Sequence, residues 1–471
     1  MEIPAIKFGT DGWRGIIADD FTYDNMALVG SAVARYLEED GHSQGPVLIG
    51  YDRRFAAESY AAHLAAHLRA LGREVVVHSA PAPTPVIAFG VKELKAAGAI
   101  QLTASHNPHY YQGLKFIPHF AGPAMPAATE RITTLITELA AGFSPPAITL
   151  KWDGSEVMLR DSYFAHLETI INTSSLAGSS KRVLYNPMHG VGAGYLDEFL
   201  ERTGVGVKSI NAQRDVYFGG ILPDPSPANL TPLTPLLMEH DCHLLIGTDG
   251  DADRFGLVDR SGRYFGANQV LPLLADYLVR YKQMKGELIR TVSTSHLLDG
   301  VAKEHGLQLT ETAVGFKYVG DCLRRGALIG GEESGGISMQ GHIPEKDGIL
   351  TSVLVLEMTA TCGAEIGGLL DDLMERIGPR SFVRVDQQLD DTKKQRLFAA
   401  LAEHVSDKFA GKTIIERNTL DGVKYVMKDG SWVLMRPSGT EPLVRVYIET
   451  APDNMGKWKG QVLAQVSKLS G

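Results

Sequence analysis

AIQLTASHNP, residues Ala99–Pro108, decides the fold. A short apolar run reads as a strand and passes directly into a loop of hydroxyls, an imidazole and an Asn-Pro turn signal. Upstream, GPVLIGYDRR holds an apolar run at Val47–Ile49, Ala56–Leu71 is Ala-rich with helical spacing, and Glu74–His78 reads as another strand. The order is strand, helix, strand, then strand and loop.

That order recurs twice. KRVLYN, a helix over Ala193–Arg202, VGVKSI and CHLLIG lead into TDGDADR; GELIRTVST, a helix over His296–His305, LQLTET and GALIG lead into GEESGG. Alternating strands and helices imply crossover connections, and in such sheets ligands bind beyond the carboxyl ends of the strands. Three loops at equivalent ends can meet in one cleft. From about Arg380 the pattern changes: DDTKKQRLFAALAEHVSDKF reads as an amphipathic helix, and KTIIER, VKYVMK, SWVLMRP and LVRVYIE read as short strands. Gly378 and Pro379 mark that boundary, and Gly, Ser and two prolines between Gly142 and Lys151 mark a softer one. The expected units are 1–150, 151–262, 263–379 and 380–471.

Composition bounds the function. A chain of 471 residues exceeds what one core supports, so three or four domains of about 100–150 residues are expected. Hydrophobic content of 44%, charged content of 21% and 50 glycines describe a globular chain rich in tight turns. The net charge of -9 argues against nucleic acid as a partner. The first residues lack a basic stretch followed by an apolar one, and the apolar run Ile349–Leu370 is broken by Thr351, Ser352, Glu357, Thr361 and Glu365. No membrane association and a cytoplasmic location are therefore expected. Cys242, Cys322 and Cys362 are far apart and form no C-x-x-C, which points to free thiols.

Several loops carry chemistry. TDGDADR places Asp249, Asp251 and Asp253 at alternate positions, a spacing that can turn hard oxygen ligands toward a magnesium ion, or forms a solvated Asp-Gly turn before the hairpin FGLVDRSGRYF; unneutralised, the carboxylates repel one another. An EF-hand is ruled out because its sixth and twelfth positions fall on Arg254 and Arg260. RPSGTEP, Arg436–Pro442, combines guanidinium, hydroxyls and backbone donors suited to a phosphate, or forms an ordinary turn. KFGTDGWRG, with Arg14, has a similar but weaker character. GGEESGG offers Glu332, Glu333 and Ser334, acceptors that match sugar hydroxyls or simply an exposed acidic loop. His106, His109 and His119 are irregularly spaced, as surface or supporting histidines are. HGVGAGYL fails as a dinucleotide fingerprint, because its third Gly falls on Tyr195, and FAGKT fails as a P-loop, because its first Gly falls on Ser406. No G-x-S-x-G surrounds Ser105, so an esterase elbow is absent. A serine that stores a phosphoryl group needs no strong base beside it.

In order along the chain, FGTDGWRG, TASHNP, GTDGDADR, GGEESGG and RPSGTEP resemble the motifs of the α-D-phosphohexomutase family, in its phosphoglucomutase/phosphomannomutase branch. The resemblance covers essentially the whole chain. It implies an α/β fold: three similar α/β domains with mixed sheets plus a smaller C-terminal α+β domain, around a central cleft. It makes Ser105 the phosphorylated residue, with Asp249, Asp251 and Asp253 binding Mg2+ together with a phosphoserine oxygen. Lys115 would move a proton to or from the reacting hydroxyl. Arg14 and His106 resemble residues beside the phosphoserine, Arg254 the neighbour of the metal loop, and Lys317 in TAVGFKYVG a cleft contact. Glu332 and Ser334 resemble the holders of two sugar hydroxyls, and Arg436, Ser438, Gly439 and Thr440 the phosphate loop.

The activity so implied interconverts hexose 1-phosphate and hexose 6-phosphate, of glucose and/or mannose, with glucose 1,6-bisphosphate as intermediate and activator. Its partners are small phosphosugars. The family's phosphoglucosamine mutases usually carry Gln in place of Glu333 and a His near Gly336, which makes glucosamine phosphate the runner-up substrate. A magnesium-dependent sugar phosphatase and a non-catalytic phosphosugar-binding protein are the readings from other classes.

Overall fold

The computed structural model describes all residues except 1–5, 7, 10–11, 43, 147, 149–154, 404–405 and 439–441. The three repeats fold with one topology. In the first sheet Val47–Tyr51 lies between Val75–His78 and Gly98–Leu102, both parallel to it, and Tyr111–Pro118 returns antiparallel to Gly98–Leu102. In the second, Arg182–Asn186 lies between Gly206–Ser209 and Leu244–Thr248, and Phe255–Asp259 returns beside Leu244–Thr248. In the third, Leu288–Thr291 lies between Leu309–Thr312 and Ile329–Glu332, and Gly336–Met339 returns beside Ile329–Glu332. All three sheets are thus mixed. Each unusual loop is the reversal between the last parallel strand and its antiparallel neighbour.

The first sheet gains two further strands, Trp13–Ile16 antiparallel to Tyr111–Pro118 and Glu156–Val157 parallel to Val75–His78. The fourth sheet is antiparallel, in the order Ser381–Gln388, Leu443–Thr450, Trp432–Pro437, Val423–Met427, Lys412–Asn418 and Lys408–Phe409. The helix expected over 390–409 stops at Ala402. Lys408–Phe409 is instead a strand that reverses into Lys412–Asn418 through Ala410 and Gly411, both at positive φ.

Packing explains why the last domain stands apart. One apolar cluster runs from Leu48 through Val183 and Leu288 to Leu373, so the first three domains share a core. Helix Gly348–Cys362 lies inside it and is buried along nearly its whole length, with its one charged side chain, Glu357, accepting from Tyr277 and Lys282. The C-terminal domain has a separate core, Leu389 to Val466, and meets the third domain through the smaller cluster of Val292, Trp432, Leu434 and Tyr447.

Candidate active site

Ser105 sits in the reversal after Gly98–Leu102 with its backbone at a φ of 52°, the left-handed region that a non-glycine residue enters only when its surroundings hold it there. What holds it is Arg54. This fully buried guanidinium donates to the carbonyls of Ser105 (2.7 Å), Asn107 (2.8 Å), Pro108 (2.8 Å) and Tyr111 (3.0 Å). Its charge is balanced by Asp52, which accepts from Arg54 Nε at 3.2 Å and from Thr103 Oγ1 at 2.6 Å, while Thr103 Oγ1 accepts the Ser105 N–H at 2.9 Å. Arg14 reaches the same loop through Asn107 Oδ1 at 2.6 Å.

The serine loop meets the aspartate loop directly. Ser105 Oγ donates to Asp249 Oδ2 at 3.0 Å and lies 3.3 Å from His106 Nδ1. Gly250 is required at this junction, since a Cβ there would come within 2.6 Å of the Ser105 carbonyl oxygen. Asp249, Asp251 and Asp253 are all buried, and each offers an oxygen within 4.8 Å of the others. Lys115 Nζ bridges Asp251 Oδ2 (2.6 Å) and Asp253 Oδ2 (2.8 Å), Lys346 Nζ lies 3.3 Å from Asp253 Oδ2, and Arg254 donates its backbone N–H to Asp249 at 3.0 Å.

Electrostatics separates the three carboxyls. Burial, then the charges of Asp251 and Asp253, push Asp249 well above the ordinary carboxylate range. Burial acts on Asp253 too, but Lys115, Lys346 and Arg254 outweigh it and hold that group well below the range. Burial raises Glu345, beside Lys346, to about 7 against the pull of Lys346 and Lys115. Asp251 Oδ1 and Asp253 Oδ1 are buried with no hydrogen-bond partner among the described residues. Two such carboxylate oxygens, with the oxygens of Asp249 alongside, form a donor set that suits a hard divalent cation such as magnesium.

The remaining expected residues arrive from other elements. Glu332, buried at the end of its strand, accepts from Ser334 Oγ at 2.8 Å, and a Cβ on Gly335 would stand 3.2 Å from Arg254 Cβ, so this loop abuts the aspartate loop. Glu333 turns the other way and accepts from Ser293 Oγ at 2.6 Å. A Cβ on Gly336 would come within 2.5 Å of Lys346 Cδ, which leaves no room for a His at that position unless Lys346 moves. Lys317 lies in helix Phe316–Arg324 with its nitrogen 5.4 Å from the Tyr318 ring centre. Arg436, next to last in strand Trp432–Pro437, pairs with Asp421, and Ser438 just beyond the strand is buried. Gly439 and Thr440 lie outside the described residues. His109 packs on Tyr110 and Tyr217, and His119 on His42, so the loop's histidines do not gather.

Sequence reasoning missed Asp52, Arg54, Thr84, Glu345 and Lys346. Thr84 donates its hydroxyl to Asp251 Oδ2 at 2.6 Å and its N–H to the Asp251 carbonyl at 3.0 Å. A signal for Arg54 was present: GYDRR closes the first strand at the sheet end where the chemistry gathers. For Thr84, Glu345 and Lys346 no local pattern marks the residue.

Among the described residues, loops of the first three domains meet at a buried cluster of one serine and three carboxylates, and the C-terminal domain packs on the third. The phosphoglucomutase/phosphomannomutase domain models match in order: alpha/beta/alpha domain I at residues 5–142, domain II at 161–262, domain III at 266–377 and the C-terminal domain at 383–457. The chain belongs to the phosphoglucomutase/phosphomannomutase, or α-D-phosphohexomutase, family and is a mutase enzyme. It is 30% identical to a phosphoglucomutase/phosphomannomutase of Thermococcus kodakarensis, covering 96% of each chain. It is 31% identical to a "Probable phosphoglucosamine mutase" of Methanothermobacter thermautotrophicus, covering 96% of this chain and 95% of the relative. A crystal structure described as a "putative phosphomannomutase" from Thermus thermophilus superposes with a TM-score of 0.85 at 34% identity, over 99% of both chains.

Proposed function

We propose that the enzyme interconverts hexose 1-phosphate and hexose 6-phosphate, of glucose or mannose, through a phosphoserine at Ser105. The observation that carries this reading is the contact of Ser105 Oγ with Asp249 at 3.0 Å, inside a buried cluster where Lys115 spans Asp251 and Asp253. A hydroxyl so placed has the Asp249 carboxylate at 3.0 Å and the His106 imidazole at 3.3 Å, beside a cluster of carboxylates and cations. It fits a group that stores and hands on a phosphoryl unit.

In the first half-reaction the bond from phosphorus to Ser105 Oγ breaks as one forms to the free hydroxyl of the bound hexose monophosphate. Lys115, acting as the neutral amine, takes the hydroxyl proton and the departing Ser105 Oγ takes it up in turn, so the serine is left as its free hydroxyl. The resulting 1,6-bisphosphate turns over in the cleft, and its other phosphoryl group returns to Ser105 Oγ as the serine proton passes through Lys115 to the leaving sugar oxygen. Asp249, Asp251 and Asp253 would hold Mg2+, which when bound neutralises charge on the phosphoryl oxygens. Arg14 and His106 steady the phosphoserine loop, and Arg254 braces the aspartate loop. Glu332 and Ser334 accept from and donate to sugar hydroxyls. Lys317 contacts the substrate from the third domain, and Arg436, Ser438, Gly439 and Thr440 bind the phosphate that is not reacting. The four loops are contributed by units 1–150, 151–262, 263–379 and 380–471 in turn.

Relatives named as phosphoglucosamine mutases favour a second substrate, glucosamine phosphate. Against it stand Glu333 and the closed space at Gly336. Conversion of glucose 1-phosphate to glucose 6-phosphate, with magnesium and a trace of glucose 1,6-bisphosphate, tests the reading while inorganic phosphate is recorded in parallel. Conversion without phosphate release is expected. Release of phosphate as the lasting product would make the protein a phosphatase, and turnover of glucosamine 1-phosphate alone would shift the substrate.

A further inference from the structure

Asp421 lies in the connection between strands Lys412–Asn418 and Val423–Met427 of the C-terminal sheet. One of its oxygens accepts from Arg436 Nε at 2.8 Å, and the other accepts from the backbone N–H of Val314, in the third domain, at 3.0 Å. A single carboxylate therefore joins two domains and one arginine. Its side chain is 23% exposed and that of Arg436 22%, so the pair is largely shielded from the water that weakens surface ion pairs.

The chain is built to bring these groups together. Gly422 stands at a φ of 90°, and a Cβ there would come within 2.4 Å of the Met435 carbonyl oxygen and 3.1 Å of Arg436 Cα. No other residue lets the connection pass this close beneath the arginine. Val314 begins the turn into helix Phe316–Arg324, which carries Lys317. With Nε held by Asp421, the guanidinium can no longer rotate about its own stem. The edge formed by its two terminal nitrogens, the edge suited to two-point phosphate binding, is then fixed in direction.

We propose that Asp421 is a positioning residue that presents Arg436 to the phosphate of the substrate only when the C-terminal domain is seated on the third domain. The inference rests on reading Arg436 as a phosphate ligand. Seating supplies the Val314 N–H, the N–H fixes the carboxylate, and the carboxylate fixes the arginine. When the domain swings away, the carboxylate loses one of its two anchors and the arginine its fixed direction. Phosphate capture and domain closure thereby become one event. Asp421 itself touches no substrate.

The test is a double-mutant cycle in the full-length enzyme, with kcat and KM for glucose 1-phosphate measured for wild type, D421A, R436A and D421A/R436A. The isosteric D421N is a second variant in case D421A folds poorly. R436A is expected to raise KM at least about tenfold. D421A and D421N are expected to raise KM about tenfold while kcat stays within about threefold, and the double variant is expected to match R436A. A residue that only pins the hinge would add its loss to that of R436A, so a double variant much worse than R436A overturns the proposal. With R436A impaired, an unchanged KM in D421A and D421N also overturns it and leaves the phosphate-loop reading standing. An unchanged KM in R436A sinks that reading and the proposal with it.

Discussion

Arg54 donates to the carbonyl oxygen of Ser105 at 2.7 Å, although the two residues lie on different strands' ends and the arginine is fully buried. That contact, with three further carbonyls on the same guanidinium, sets the backbone of the serine loop before any ligand arrives. The placement of the Ser105 hydroxyl is therefore a property of a buried ion pair, Arg54 with Asp52, rather than of the loop's own sequence.

Replacing Arg54 by Met removes one partner of that pair and leaves the Asp52 carboxylate, which burial already pushes above its ordinary range, without its cation. The expected cost is about 3–5 kcal/mol of stability, as for other broken buried pairs. Urea unfolding of the variant against wild type measures it. A loss under about 1 kcal/mol would show that the loop holds itself.

Metal should act on stability as well as on rate. The cluster brings three buried carboxylates together, so a cation bound only by the folded chain raises the unfolding temperature with its concentration. Thermal melts are expected to rise with added magnesium for wild type and to stay flat for D251N and D253N. Chelation should abolish turnover. An equal magnesium response in the variants would move the metal elsewhere.

Lys115 to Met should lower kcat by roughly 10²–10⁴-fold, the range for loss of a positioned proton-transfer group, with KM changed far less. Steady-state kinetics with glucose 1-phosphate checks this. A variant impaired only in KM would make Lys115 a binding residue.

Acid should loosen the contact between the second and third domains. His166 Nε2 lies 2.9 Å from His342 Nδ1, and His342 Nε2 lies 2.9 Å from Asp347, which also accepts from Tyr163 at 2.6 Å. Burial, and then the neighbouring His342, lower His166 to about 4. The folded state thus holds its proton less tightly than the unfolded chain. Stability from this group is fully present above about 6.5 and declines as pH falls from there toward about 4. H166Q should unfold at more nearly the same urea concentration at pH 7.5 and pH 5 than wild type does, and an identical acid loss in both proteins would contradict the assignment.

Much of this arrangement was legible in the sequence, for a physical reason. The three repeats show because strand and helix periodicities alternate over long windows, and the aspartates show because all three come from one loop. Gly336–Met339 escaped because four residues opening on glycine give no alternation, and Glu156–Val157 because two residues carry no period. Arg54, Thr84 and Lys346 escaped because their partners lie across the fold: Arg54 meets Ser105, Thr84 meets Asp251 and Lys346 meets Asp253. Only the folded chain brings those pairs together.

The central claim is that Ser105 carries the phosphoryl group. Incubating the enzyme with glucose 1,6-bisphosphate labelled in its phosphates, then mapping the label on digested peptides, tests it most directly. The account predicts label on Ser105 in wild type that is chased off by glucose 1-phosphate, and neither label nor turnover in S105A. Turnover by S105A near the wild-type rate, or stable label on another residue, would contradict it.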